Sequence, residues 1–516
     1  MRFQVIHGAA RSPVVWWSAL AVLCAILVAP LFVVDVPPLL DYPNHLGRIF
    51  VLASLPQDGV LARFYAPHWS VIPNLALDIV GPPLIHLLPV HVAGRLLIAA
   101  SVLLPVLGTV AYHSALGGRW WSFGVGLIAY NNCQLYGFLN FEISIGLALL
   151  LAASWLRWRE TRPAWAIVAA LIGAPVLFTC HIMGLIFFAA LIGSTELFRL
   201  YRALPASRVE NILRAAAERG AILALVLFVP VMLYALSALE QLHGDALFGT
   251  ADKVGHFLAV FVNYSLPLDL TTAAMAIWLP VLCLLLRRGT IPGPAGIAMA
   301  LLTVTYVAAP YSWKGTSGLD MRFAVMMAFM LFAGFLPGGL PNWSRFAIAI
   351  ALGAAFTARM ALLTTVWATH ATDLADLRTV LAPVQPGQTV YVTMAGLQEV
   401  LPYWRDNPGW RRLSNGVRTD THLGALVLIE HRAFWQGEFD FPSQQPIVTL
   451  EPFNTLARRA AMPHERGEAL AADLCGFDYV LLTEADALPR LPTDRFRLLD
   501  QAGFAALYAV TKCAAK

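Results

Sequence analysis

The sequence predicts a polytopic α-helical membrane protein of about eleven transmembrane helices that carries a C-terminal extracytoplasmic α/β domain. Three observations predict it. Hydrophobic residues make up 58% of the 516 and charged ones only 13%, whereas a soluble domain is about a quarter charged; mean hydropathy is +0.66. Apolar runs of about 20 residues, the length that crosses a hydrocarbon core, recur from residue 13 to residue 366. After Ala371 the texture changes to short strand-like runs alternating with helix-like stretches.

The first apolar run, residues 13–34, follows Arg2 and Arg11. A cleavable signal peptide is its rival, but that apolar core is shorter and ends at small residues, whereas this run ends Val33-Val34-Asp35-Val36-Pro37-Pro38. It is therefore read as an uncleaved span. Further spans are expected at 93–114, 121–135, 140–156, 163–179, 182–198, 220–238, 269–286, 294–310, 322–337 and 345–366. With a cytoplasmic N-terminus, alternate loops hold Arg119, then Arg157, Arg159 and Arg162, then Arg199 to Arg219, then Arg287 and Arg288, then Arg345, while the opposite loops are poor in Lys and Arg. That is the positive-inside pattern, and an odd number of spans puts the C-terminal domain outside a bacterial inner membrane. The domains are then residues 1–366, transmembrane with a first outer loop at 35–80, and residues 367–516, periplasmic. The net charge of +4 lies in these short loops and reads as an orientation signal, so nucleic acid is set aside as a partner.

In the C-terminal part, strands are expected at 389–394, 425–430, 446–450 and 479–483, with a helix at 465–474. Of six cysteines, Cys24, Cys133, Cys180 and Cys283 lie in or beside apolar runs and read as packing residues. Cys475 and Cys513 flank two strand-like runs. Outside the cytoplasm they could form a disulfide worth about 3–4 kcal/mol on the chain-entropy model, the alternative being two free thiols.

The first outer loop carries the most chemistry. It reads Asp41-Tyr42-Pro43-Asn44-His45-Leu46-Gly47-Arg48, and Pro43 suits the first turn of a helix that would place Asp41 at its N-terminus, where the dipole favours an anion. His45 lies four positions on, on the same face, and Arg48 continues that face. The plainer reading makes Asp41 a cap and His45 and Arg48 interfacial residues. Asp78, before Pro82-Pro83, is a second acidic contact or another cap. Glu142, at the start of the fourth span beside Asn140, is costly at membrane depth unless it faces a cavity or a partner. His181, between two spans, reads as structural, and residues 242–256 form either a mobile outer loop or an interfacial helix.

From Asp41 through the helix-like stretch Leu46 to Leu55 and the returning segment Pro67-His68-Trp69, Pro73-Asn74 and Pro82-Pro83-Leu84, the chain resembles the class C (GT-C) polyprenyl-phosphate-dependent membrane glycosyltransferases, the superfamily that includes the lipid A aminoarabinose and protein mannosyltransferase group. Many spans followed by a C-terminal outer domain match as well. The resemblance implies a polyprenyl-phosphate sugar as donor, a glycan, lipid or protein acceptor, and Asp41 as catalytic base. The acidic position is an Asp-Glu pair in many members but Asp41-Tyr42 here, so no metal ligands are assigned, although the superfamily admits a divalent metal. Transfer needs a base for the acceptor hydroxyl and cations for the leaving phosphate. Lys314 and Arg322 are expected to meet that phosphate, with Asp320 orienting Arg322 or binding a sugar hydroxyl; snorkelling at a helix end is the alternative. His45, Arg48, Asp78 and Glu142 complete the expected substrate contacts, and Trp404, Trp410 and Trp435 could stack on sugar rings. A lipid or solute transporter and a non-catalytic scaffold are the competing readings.

Overall fold

A computed structural model describes residues 12–204, 209–248, 253–394, 409–461, 474, 476–483, 491 and 495–511. Among the described residues, eight helices are long and apolar enough to cross a membrane: Pro13–Phe32, Val90–Ala115, Leu139–Trp158, Pro163–Cys180, Ile182–Ala203, Val209–Ala235, Leu266–Leu285 and Asn342–Leu381. The chain is thus a polytopic helical membrane protein with a sheet-containing C-terminal region. The runs expected at 294–310 and 322–337 form shorter helices, Gly293–Ala308 with 16 residues and Leu319–Ala333 with 15.

The run expected at 121–135 is not one helix. It is a 3-10 helix, Trp121–Ile128, followed by a single turn, Asn132–Leu135. Gly124 and Gly126 weaken a continuous helix here. Asn131 breaks it, because its side chain donates to the Ile128 carbonyl at 3.2 Å and accepts from the Gln134 N–H at 3.2 Å, offering the backbone partners that a helix would otherwise supply.

The described residues cluster into two compact units. The first comprises 1–32, 98–134 and 139–364. Its helices approach closely at small residues, as expected where lipid removes the hydrophobic drive for association. A Cβ on Gly108 would lie 2.5 Å from the Gly146 carbonyl oxygen, and one on Gly184 would lie 2.3 Å from Ser144 Cβ. Buried polar ties supplement the packing: Arg359 to Asp269 at 2.8 Å, and the Tyr130 hydroxyl to the Leu27 carbonyl at 2.7 Å.

The second unit comprises 33–97, 135–138 and 365–516, so the first loop and the C-terminal residues share one core. From the loop come helix α1 (Tyr42–Ser54), strand β1 (Tyr65–Pro67) and helix α2 (Ala76–Leu87). The C-terminal residues supply β2 (Thr389–Met394), α3 (Ala425–His431), β3 (Phe434–Trp435), β4 (Ile447–Thr449), β5 (Tyr479–Thr483), β6 (Phe496–Ala502) and β7 (Ala505–Val510). A five-stranded mixed sheet runs in the order β6-β7-β5-β2-β3, parallel across β5-β2-β3 and antiparallel elsewhere. β1 pairs with β4, Tyr65 opposite Thr449. Val51, Phe64 and Tyr65 of the loop pack with Phe434, Phe477 and Val480 of the C-terminal part.

The expected strand at 425–430 is helix α3. Ala-Leu-Val-Leu-Ile is buried on every side, and a short run apolar all round carries no periodicity to separate helix from strand. The helix expected at 465–474, together with Trp404, Cys475 and Cys513, lies outside the described residues apart from Leu474. The strands that precede Cys513 and follow Cys475, β7 and β5, are antiparallel neighbours, Ala509 opposite Tyr479.

Candidate functional site

Asp41 stands at the N-cap position of α1, but its carboxylate turns to another partner. Oδ1 lies 3.1 Å from Nδ1 of His422, which is also 3.0 Å from the Leu40 carbonyl. An imidazole nitrogen facing two oxygen acceptors carries the proton, so His422 donates through Nδ1. The Asp41 side chain keeps 18% of its surface exposed.

The backbone is fixed before the side chains are. Leu40 and Asp41 donate to the carbonyls of Leu135 and Tyr136, each at 3.0 Å. Gly137 makes that approach with φ +82°, where a Cβ would fall 2.7 Å from the Tyr42 nitrogen; a side chain fits neither the conformation nor the space. On the C-terminal side, the Asn44 amide clamps the segment after β3: Nδ2 donates to the Gly437 carbonyl at 2.7 Å and Oδ1 accepts from the Phe439 N–H at 3.0 Å. The Phe439 ring then stands edge-on to both His422, at 5.0 Å between centroids, and His45, at 6.0 Å.

His45 and Arg48 do not join Asp41 as one presented face. Arg48, 1% exposed, forms a two-pronged pair with Asp78, Nε to Oδ1 at 2.6 Å and Nη2 to Oδ2 at 3.2 Å, tying α1 to α2. A donor fork filled by a carboxylate is structural in character. Glu438 approaches from the far side, so close that a Cβ on Gly47 would meet its Oε2 at 2.7 Å. Burial pushes the Glu438 carboxyl well above its usual range; Arg48 opposes this, and Asp440 and Asp78 reinforce it. Burial, with Arg48 and His422 adding repulsion, likewise holds the His45 imidazole well below its ordinary value and uncharged. Sequence reasoning missed both His422 and Glu438, which sit in stretches without motif or periodicity.

In the first unit, Asp320 is fully buried and its charge is spent. Oδ2 accepts from Lys253 Nζ and pairs with His256 Nδ1, both at 2.8 Å, while Oδ1 accepts from the Met321 N–H. The carboxylate thus pins residues 253–256 onto the start of helix Leu319–Ala333, and Lys253 also donates to the Ala309 carbonyl at 2.8 Å. Lys314 donates to the Glu240 carbonyl at 2.5 Å and Arg322 to the Ser317 carbonyl at 2.7 Å. Of the cations expected on a phosphate, Lys314 thus ties its loop to the segment after helix Val209–Ala235, and Arg322 braces the turn before its own helix. Lys253 and His256, 29% and 24% exposed, belong to the stretch 242–256 expected as an outer loop or an interfacial helix, and they lie on a short helix, Lys253–Leu258.

The remaining candidates divide. Glu142 is fully buried in the first turn of Leu139–Trp158. His181 accepts from the Met183 N–H at 3.1 Å and caps Ile182–Ala203, the structural role expected of it. Trp435 is buried with Gly424 and Gly437 against its indole, so it offers no face to a sugar, and Trp410 donates to Asp373 at 3.2 Å. Among the described residues, no three His, Cys, Asp or Glu side chains group as metal ligands. No family model, curated protein or solved structure matches this chain, so the reading of the site rests on its own geometry.

Proposed function

We propose that the chain is a membrane glycosyltransferase of the GT-C type, moving a sugar from a polyprenyl-phosphate donor to a lipid, glycan or protein acceptor on the outer face of a bacterial inner membrane. In this reading the N-terminus is cytoplasmic and residues 367–516 are periplasmic. The observation that carries it is the Asp41 carboxylate: it leads the first loop helix, remains partly exposed, and is held by His422 instead of capping the helix.

An acceptor hydroxyl placed against Asp41 gives up its proton to the carboxylate as the oxygen attacks the anomeric carbon. The bond from that carbon to the phosphate oxygen breaks, and the polyprenyl phosphate departs as an anion. His422, whose Nδ1 donates to the Leu40 carbonyl, stands 3.1 Å from Oδ1 and leaves the other carboxylate oxygen to face the acceptor, a positioning role. The departing phosphate calls for cations.

Incubating the purified full chain with a polyprenyl-phosphate sugar tests the reading. Release of free polyprenyl phosphate with the sugar on a new acceptor is the expected result. Movement of the intact lipid across a proteoliposome membrane without cleavage would establish a transporter and overturn it.

A further inference from the structure

Where helices Leu139–Trp158, Ile182–Ala203 and Val209–Ala235 gather, Glu196 is 3% exposed and lies at the centre of a set of guanidinium groups. Arg199 Nη1 and Arg219 Nη1 reach its two oxygens at 2.9 and 2.7 Å, and the Trp155 indole N–H donates to Oε1 at 3.0 Å. Arg159 Nε is 3.3 Å from Oε1 yet makes no hydrogen bond among the described residues. A second carboxylate, Glu160, lies 3.3 Å from Arg199 and is 76% exposed. Three positive groups thus face one buried and one solvated negative group.

A carboxylate has room for one bidentate guanidinium fork. Arg199 and Arg219 each place one Nη1 on Glu196 and Arg159 Nε makes no hydrogen bond to it, so N–H donors are left over, and Arg159, Arg199 and Arg219 retain 15%, 15% and 28% exposure through which to use them. Arg159 follows helix Leu139–Trp158, while Arg199 and Arg219 lie within helices Ile182–Ala203 and Val209–Ala235, on the side that the arginine pattern assigns to the cytoplasm. Next to Arg159, at the end of helix Leu139–Trp158, the Trp158 side chain is 38% exposed. Cationic forks next to an exposed apolar side chain match an amphiphile with an anionic head.

We propose that the Glu196-centred arginines bind the phosphate headgroup of an anionic phospholipid, with its acyl chains passing Trp158. Basic pockets between transmembrane helices are suited to such headgroups, and Arg is preferred where planar two-point contact with phosphate matters. Glu196 is a positioning residue here: it holds the three arginines together at a spacing their mutual repulsion would otherwise open. The site is independent of sugar transfer, because Asp41 takes no part in it.

Native mass spectrometry of the full chain from micelles containing equal phosphatidylcholine, phosphatidylglycerol and cardiolipin tests the site. The expected result is selective retention of the anionic lipids, weakened about 30-fold in an Arg159→Gln/Arg219→Gln variant. Equal retention of all three lipids by the wild type overturns the proposal. So does saturation of the site by inorganic phosphate with no preference among lipids, which would indicate a free anion. Since the double variant strips partners from a buried carboxylate and can fail to fold, a photoreactive cardiolipin analogue on the wild-type chain gives a second reading. Labelling of residues 155–162 or 196–203 supports the site, and labelling confined to other regions overturns it.

Discussion

Asp41 and Asp320 are two of the carboxylates at the head of a helix that the sequence marks for chemistry, and they have opposite fates. Asp320 is fully buried and holds an ammonium, an imidazole and a backbone N–H, so its lone pairs are committed. Asp41 has an imidazole on one oxygen and keeps 18% of its surface. Burial pushes the Asp320 carboxyl up, but the hydrogen bonds from Lys253 and His256 outweigh it and hold the group below its ordinary value. The difference teaches that a carboxylate with saturated lone pairs organises its neighbours, and that one with an open oxygen can take a proton.

The largest expected effect sharpens the structural side of that contrast. Arg48→Met removes one partner of a buried pair and leaves Asp78 uncompensated, which should destabilise the second unit by about 3–5 kcal/mol. Thermal unfolding in detergent would read it. An effect within about 0.5 kcal/mol, the size of an ordinary surface change, would mean that the pair does not hold α1 to α2.

Next comes Asp320→Asn, which turns charge-assisted hydrogen bonds into neutral ones and should cost about 1.5–3 kcal/mol. Limited proteolysis should show residues 253–256 cut faster than in the wild type. Unchanged cleavage would break the contrast, because Asp320 would then not be what anchors that segment.

The smallest effect is a pH dependence. The Glu438 carboxyl is raised well above its ordinary value of 4.5 in the fold, so the unfolded chain gives up that proton first and stability drains away as pH rises from 4.5 toward the raised value. Glu438→Gln cannot titrate, and its melting temperature should fall less between pH 5 and pH 8 than that of the wild type. Parallel curves would show that Glu438 is ionised in the fold.

Much of this was legible in the sequence. Apolar length marked most spans, Pro43 marked the start of α1, and strands β2 and β5 followed from β-branched and aromatic runs. The misreadings have physical causes. In Ala-Leu-Val-Leu-Ile at 425–429 total burial erases the periodic signal, and at 121–135 an asparagine competes for the backbone. The site was half legible: Asp41 announced itself through Pro43 and its place after the first span, whereas His422 meets it from a part of the chain 382 positions beyond Leu40. A contact at that separation leaves no spacing to read. The charges of Lys314 and Arg322 are plain in the sequence, but the backbone carbonyls of Glu240 and Ser317 that they meet are not.

The central claim is that Asp41 takes the acceptor's proton, and Asp41→Asn tests it most directly, since asparagine keeps the side chain's size and loses the basic oxygen. The exchange alters a partly exposed pair worth about 0–1 kcal/mol, so the variant should insert, melt close to the wild type and carry no sugar from a polyprenyl-phosphate donor. Transfer by the folded variant at the wild-type rate would contradict the account.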